Sequence, residues 1–223
     1  MSQHHSLIPP TPATADYAAG DGRERPDAGL DAATDPVSLF ASWLAAARER
    51  EINDCNAMSL ATVDADGLPD VRVVLLKDFD ARGFTFFTNY DSAKSAQLAG
   101  AGKAALGFHW KSLRRQVRAR GLVERASEAE SDAYFATRAR ESQIGAWASR
   151  QSHPLSGTDE LVAAVAAVAA RFEGQPVPRP PFWGGWRLVP QTVEFWNDGA
   201  FRLHERLVFT ATAGGWSRGR LYP

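Results

Sequence analysis

Apolar and polar positions change their spacing several times along the chain. Residues 1–35 show no period. They are rich in Ala, Asp, Pro, Thr and Gly, and their only large apolar residues are Met1, Leu7, Ile8, Tyr17 and Leu30. Such a stretch buries too little to offset the cost of ordering, so it reads as a mobile arm, with the folded domain over 36–223. Asp35 then offers an N-cap and Pro36 suits a first helical position. Leu39, Phe40, Trp43, Leu44 and Ala47 recur at helical spacing and predict a helix that ends before Asn53.

A block of strands follows. Ala57–Val63, Val71–Lys77, Phe84–Thr88, Ala104–Trp110 and Arg114–Glu124 each read as extended, with a turn at Asp66-Gly67 and a loop over Asp78–Gly83. In the last strand Arg114, Gln116, Arg118 and Arg120 share one face, and Arg115, Val117 and Ala119 the other. Ser92 marks the cap of a short helix running to about Ala99. Ser127 and Glu130 have capping-box spacing, predicting a helix to about Thr137. Further helices are expected over Glu141–Ser149 and Asp159–Phe172, then a Pro-rich connector over Gly174–Pro181. Strands return at Trp186–Val189, Thr192–Trp196, Phe201–Thr210 and Trp216–Leu221, with a turn at Gly214-Gly215. Short turns between strands favour an antiparallel barrel or sheet with peripheral helices.

Composition narrows the function classes. The longest apolar run, Leu161 to Ala170, is too short to span a bilayer. Cys55 is the lone cysteine, which excludes an internal disulfide or a cysteine-based metal site and fits a reducing, cytoplasmic setting. It reads as a buried bystander. His4 and His5 have no third ligand nearby, so no metal site is expected. With 25 Lys+Arg against 26 Asp+Glu, no global field favours nucleic acid. The chain carries neither GxGxxG nor GxxxxGK[ST].

Local arrangements must therefore carry any anion site, and four are candidates. Arg202, His204 and Arg206 would project from one face of one strand and suit an anionic ligand, or else mark a solvated edge. In Phe87–Lys94 a strand ends and a helix begins at Ser92, where free N–H groups and Lys94 would attract phosphate; Ser92 could equally be only a cap. Arg72 and Lys77 flank an apolar strand on opposite faces, so they share a ligand only across a bulge, a strand end or a subunit boundary. Tyr134 and Arg138, spaced i,i+4, with Ser142 beyond, would make a phosphate clamp or a surface packing pair. Trp183, Trp186, Trp196 and Trp216 could cover a flat ring or form core or dimer interface.

Taken in order, DPVSLFASWL, AMSLATVDADGLPDVRVVLLK, FTFFTNYDSAK, FHWKSLRRQVRARG, YFATRARESQIGAWASRQS, FWGGWRL, VEFWNDGAFRLHERL and RLYP resemble the pyridoxine/pyridoxamine 5′-phosphate oxidase family from about Asp35 to Pro223. The resemblance implies a mainly β (α+β) fold, an antiparallel split β-barrel, in a homodimer with FMN at the interface. The implied FMN contacts are Arg72, Val73, Val74, Leu75, Leu76, Lys77, Phe87, Thr88, Lys94, Gln116, Gln151, Ser152, Trp196 and Arg206. The implied substrate contacts are Lys77, Tyr134, Arg138, Ser142, Arg202 and His204, the last two at the reacting carbon.

The implied reaction oxidises pyridoxine 5′-phosphate or pyridoxamine 5′-phosphate to pyridoxal 5′-phosphate. Hydride passes to FMN, oxygen reoxidises it to give hydrogen peroxide, and the amine substrate also yields ammonia. Ala93 stands where the family usually has Arg, and Glu205 where it usually has Asp. Tyr17 is the one candidate in the arm for closing over substrate. Two alternatives share the scaffold: a phenazine-pathway type of flavin oxidase, and a non-catalytic FMN- or pyridoxal-phosphate-binding protein.

Overall fold

The computed structural model describes residues 14–15 and 28–223. His4, His5 and Tyr17, and most of the expected arm, lie outside them. Five helices and nine strands follow in chain order: α1 (Pro36–Arg50), β1 (Ala57–Val63), β2 (Pro69–Leu75), β3 (Asp78–Asp80), β4 (Gly83–Asn89), α2 (Ala93–Ala101), β5 (Lys103–Trp110), β6 (Arg115–Arg125), α3 (Glu128–Ala136), α4 (Arg140–Ala148), α5 (Thr158–Arg171), β7 (Trp183–Asn197), β8 (Glu205–Thr212) and β9 (Gly215–Arg220). The sheet is antiparallel in the order β2-β1-β5-β6-β7-β4-β3, with β8 on β7 and β9 on β8. It curls into the expected split barrel. No helix among the described residues is long and apolar enough to cross a membrane.

The helix α1 packs one face against the core of the sheet. Asp35 caps it by accepting from the Ser38 N–H at 2.7 Å, and Pro36 opens it. Its buried stripe presses Phe40 edge-on against Phe84 and Phe108, each at a centroid distance of 5.0 Å, and Trp43 against Phe195 at 5.2 Å. Each such aromatic pair adds about 0.5–1.5 kcal/mol beyond burial. The packed fold also begins earlier than the expected boundary at residue 35. Ala28 and Leu30 are buried, and the Trp43 indole N–H donates to the Ala28 carbonyl at 2.7 Å.

Four strand expectations need correction. Trp186–Val189 and Thr192–Trp196 are one 15-residue strand, β7. Pro190 does not break it, because it sits where pairing with β4 has ended at Leu188 and pairing with β8 has not begun before Thr192. The β6–β7 register shifts here: Arg120 pairs with Thr192 and Gly121 with Pro190, so Gln191 of β7 is the extra residue. The expected loop over Asp78–Gly83 contains a short strand, β3, paired with β4. Arg114 lies outside β6 with φ 53°, while the alternation expected from Arg115 to Arg120 is observed.

The fourth correction concerns the tail. Phe201–Thr210 is not one strand; β8 starts at Glu205. Residues 200–202 form a 3₁₀ turn in which Phe201 (φ 55°) and Arg202 (φ 66°) are left-handed. Arg202, His204 and Arg206 therefore do not share a strand face. Two consecutive left-handed non-glycine residues cost of order 1–3 kcal/mol each, so their surroundings must impose them. Gly199 is one such constraint: a Cβ there would fall 1.9 Å from the Leu203 carbonyl oxygen.

An ion-pair network ties α3 to the sheet. The capping box of Ser127 and Glu130 starts the helix. Glu130 also accepts from buried Arg187 of β7 at 2.6 Å and pairs with Arg82 at 2.9 Å. The Ser127 backbone and hydroxyl donors and then Arg187 lower the Glu130 pKa to about 2. Its stabilising contribution is therefore complete above the ordinary glutamate value and is lost as pH falls through its folded value. In urea titrations, the stability gap between the wild type and Glu130→Gln should shrink as pH falls from about 5.5 to about 3; a constant gap contradicts the pairing. Gly199→Ala should lower stability by about 1–3 kcal/mol, since backbone rather than a flexible side chain blocks the new methyl. An unchanged midpoint of thermal unfolding would show that the corner is not held this tightly.

Candidate active site

The largest cavity bearing the expected site residues has a volume of about 720 Å³. Segments distant in sequence wall it. The end of β2 and the residues after it supply Val73, Val74, Leu75 and Lys77. The end of β4 supplies Phe87, Thr88 and Asn89, and the first turn of α2 supplies Lys94. Tyr134 comes from α3, Arg138 from just beyond it, and Ser142 from α4. Gln151 and Trp183 complete the wall. Tyr134 and Arg138 meet here although Arg138 lies past the helix end, not on the helix face expected from i,i+4 spacing.

One side of the cavity is aromatic. Tyr134 stacks on Phe87 with centroids 4.1 Å apart and planes 19° apart. Trp183 lies nearly parallel to both rings, at 6.1 Å from Tyr134 and 5.7 Å from Phe87. Gly185, paired with Phe87 across β7 and β4, leaves room for this arrangement; a Cβ there would meet the Phe87 ring at 2.9 Å. The Arg138 guanidinium lies 4.7 Å from the Trp183 ring centroid, and the Lys77 ammonium 5.9 Å from that of Tyr134. The rings fix both cations without neutralising them.

The charges are left for a ligand. Arg138 Nη1 is buried and has no hydrogen-bond partner. Burial pushes its pKa down, partly opposed by Tyr134, yet a guanidinium stays charged. A buried, unpaired donor of this kind costs stability until an acceptor arrives. Lys94 is similar. Its ammonium donates to two neutral oxygens, Gln151 Oε1 at 2.7 Å and Ser92 Oγ at 3.2 Å. Burial first, and then the nearby Arg72 charge, lower its pKa. Thr88 donates to the same Gln151 oxygen at 3.1 Å. Ser92 is the N-cap residue of α2, but its hydroxyl turns back to the Asn89 carbonyl at 2.7 Å and caps no helix N–H. The helix start thus keeps free N–H groups beside Lys94.

The remaining expected residues lie elsewhere. Gln116, Trp196 and Arg206 line a separate depression of about 220 Å³ with Arg118, Glu194 and Pro223. There Arg206 donates to Glu194 at 2.8 Å and to the Tyr222 carbonyl at 2.9 Å. Arg72 points away from the main cavity: it donates to the Leu60 carbonyl at 3.2 Å and to Gln97 at 2.9 Å, and pairs with Asp70. Lys77 lies past the end of β2, so the two residues do not share the one regular strand on which opposite faces were expected. Leu76 is buried in the core. Ser152, left-handed at φ 70°, lines a third pocket with His153 and Glu160. Arg202 and His204 sit in the 199–204 corner. Half-buried Cys55 packs on the core, and its carbonyl accepts from the Trp110 indole.

Sequence reasoning missed Asn89, Ala139, Gly145, Ala146 and Ser149 on the cavity wall, and left Trp183 undecided. A signal existed for α4. Ser142, Gly145, Ala146 and Ser149 recur at helical spacing and make one small, polar stripe. Asn89 carried none, since its contact with the Ser149 carbonyl at 3.3 Å joins segments distant in sequence.

Comparisons with known proteins agree with this architecture. Residues 44–172 match the pyridoxamine 5′-phosphate oxidase family model, and residues 183–223 match a pyridoxine 5′-phosphate oxidase C-terminal dimerisation region. A pyridoxine/pyridoxamine 5′-phosphate oxidase of Caulobacter vibrioides is 57% identical over the whole of both chains. One from Mesorhizobium japonicum is 58% identical, covering 86% of this chain and 94% of its own. The crystal structure of PhzG from Burkholderia lata, in complex with tetrahydrophenazine-1-carboxylic acid, superposes with a TM-score of 0.83 at 31% identity, covering 91% of this chain and 98% of its own. With its fold and both matched regions in place, this chain belongs to the pyridoxine/pyridoxamine 5′-phosphate oxidase family.

Proposed function

We propose that this protein oxidises pyridoxine 5′-phosphate and pyridoxamine 5′-phosphate to pyridoxal 5′-phosphate, with FMN as cofactor and oxygen as final acceptor. Hydrogen peroxide is the co-product, and the amine also releases ammonia. The observation that carries this reading is the unpartnered, buried Nη1 of Arg138 in a cavity shared with Lys77, Tyr134 and Ser142. That donor set suits a phosphate monoester, and the stacked wall of Phe87, Tyr134 and Trp183 suits a flat ring.

The residues also fit a flavin mononucleotide. Lys94, held only by neutral oxygens at the start of α2, suits the cofactor phosphate, with Thr88 and Gln151 beside it. Ala93 occupies the exposed first position of α2, so the missing family cation leaves the Lys94 web intact. Bound flavin supplies the two-electron acceptor that no side chain offers. Lys77, Tyr134, Arg138 and Ser142 bind the substrate phosphate and fix the substrate's position. Arg202 and His204 act at the reacting carbon.

The protein works as a homodimer with FMN at the interface. Two features support this. The proposed cofactor residues divide between the main cavity and the depression at Gln116, Trp196 and Arg206. The edge strand β2 also exposes Val71 and Val73, at 64% and 68%, beside the cavity wall. A bare apolar edge of this kind is normally covered.

The test is direct. Purified protein loaded with FMN and given pyridoxine 5′-phosphate in air should form pyridoxal 5′-phosphate and peroxide. A flavin-loaded protein that forms neither, but oxidises a reduced phenazine carboxylate, contradicts the vitamin B6 reading. Arg138→Ala should raise KM for the phosphorylated substrate about 10- to 100-fold through loss of charge-assisted hydrogen bonds, with flavin absorbance retained. An unchanged KM would remove Arg138 from the phosphate site.

A further inference from the structure

Glycine in the interior of a helix calls for a reason. It is the poorest helix former after proline, because it loses the most backbone freedom on folding. Gly145 lies inside α4, the helix that also carries Ser142. Its φ is not left-handed, so any residue could adopt its backbone. Apart from its chain neighbours and its own helix backbone, a Cβ built there would meet no atom within 4 Å. Gly121, Gly185 and Gly199 differ, since a Cβ would fall 1.9, 2.7 and 1.9 Å from an existing atom. Neither conformation nor packing explains Gly145.

Its place does. Gly145 is half-buried and lines the main cavity. Ser142, one turn before it, and Ser149, one turn after it, line the same wall. The two ends of that wall differ in chemistry. Toward the start of α4 it carries Ser142 and Arg138, whose buried Nη1 has no hydrogen-bond partner. Past the end of α4 it carries Gln151, which accepts from Lys94 at 2.7 Å. The Cα–Cβ bonds of an α-helix tilt toward its N-terminus. A methyl group on Gly145 would therefore lean toward Ser142 and Arg138, and away from Gln151 and Lys94.

We propose that Gly145 is a specificity-determining residue: the space of its absent side chain is filled by the phosphate-bearing arm of the bound substrate. The identity of that substrate rests on the oxidase reading above; the fold's indifference to a side chain at 145 does not. Any side chain there would strengthen the helix and narrow the phosphate end of the cavity. The protein forgoes the first to avoid the second.

The test is Gly145→Ala in full-length, FMN-loaded protein, with Gly100→Ala as control. Gly100 is an exposed residue of α2 whose Cβ would also meet nothing within 4 Å, and it does not line the main cavity. Without substrate, each variant should raise Tm by about 1–4 °C. Gly145→Ala should also raise KM for pyridoxine 5′-phosphate, and the dissociation constant of pyridoxal 5′-phosphate, about 10-fold. FMN affinity should be unchanged, and Gly100→Ala should leave all three constants at wild-type values. Unchanged substrate and product affinity in Gly145→Ala overturns the proposal. So does weakened FMN binding with substrate affinity intact, which would assign the space to the cofactor. A lower Tm in Gly145→Ala overturns it too, because the fold itself would then need the glycine. Should the protein bind pyridoxal 5′-phosphate but not oxidise pyridoxine 5′-phosphate, the oxidase reading fails alone and the binding comparison still decides the role of Gly145. A wild type that binds no pyridoxal 5′-phosphate overturns both.

Discussion

Strand β7 is hydrogen-bonded to β6 along almost its whole length. Its first half is also paired with β4 and its second half with β8. That exchange of partners turns one ladder into a curved wall and places functional groups at opposite ends of it. Trp183 opens the strand in the main cavity, and Trp196 lies near its far end in the separate depression. The extra residue Gln191 and the proline at 190 sit where the partners change, so the strand bends without losing its core face of Val193 and Phe195. The site geometry follows from this one continuous strand. The walls of the main cavity are pinned to its start, and the corner with Arg202 and His204 hangs from its end.

The same scaffold explains why charged groups sit half-buried without counter-charges. Arg138 is braced by the Trp183 ring, and Lys94 by Gln151 and Ser92. Neither arrangement cancels the charge. Elsewhere buried Arg187 is charge-paired with both Glu124 and Glu130, although its Nε also has no hydrogen-bond partner. The contrast lies in the carboxylates: Arg187 has two, and no ion pair is seen for Arg138 among the described residues. Preorganised cations of this sort spend folding stability in exchange for tight recognition of an anion. The network around Glu130 also holds α3, and through it Tyr134, against the sheet.

Much of the fold was legible in the sequence. Ala57–Val63 has the expected bounds because its alternation matches a strand with one buried face. The Ser127–Glu130 capping box is present as spaced. What failed depended on long-range partners. The alternation of FRLHERLVF reads as strand throughout, yet Gly199, Asp198 and Arg114 fold its first part into a left-handed corner. Pro190 reads as a break, but the sheet places it where no break is needed. The candidate site was legible chiefly through the family resemblance. Pattern alone offered Lys77, Lys94, Tyr134 and Arg138 as separate, ambiguous cations and clamps, since segments distant in sequence must close before they face one cavity. The resemblance joined them, while the places of Asn89 and Trp183 on the cavity wall emerge only from contacts in space.

The central claim is that one chain carries two incomplete halves of the site, which a second copy completes. A mixed dimer tests it. Lys94→Ala damages the main cavity and Arg206→Ala damages the separate depression, so each homodimer should bind FMN poorly. Unfolded together in equal amounts and refolded, the two variants should regain about a quarter of the wild-type FMN sites, because half of the dimers then hold one site built from two intact halves. A refolded mixture that binds no more FMN than its parents would contradict the claim and place the whole cofactor site within a single chain.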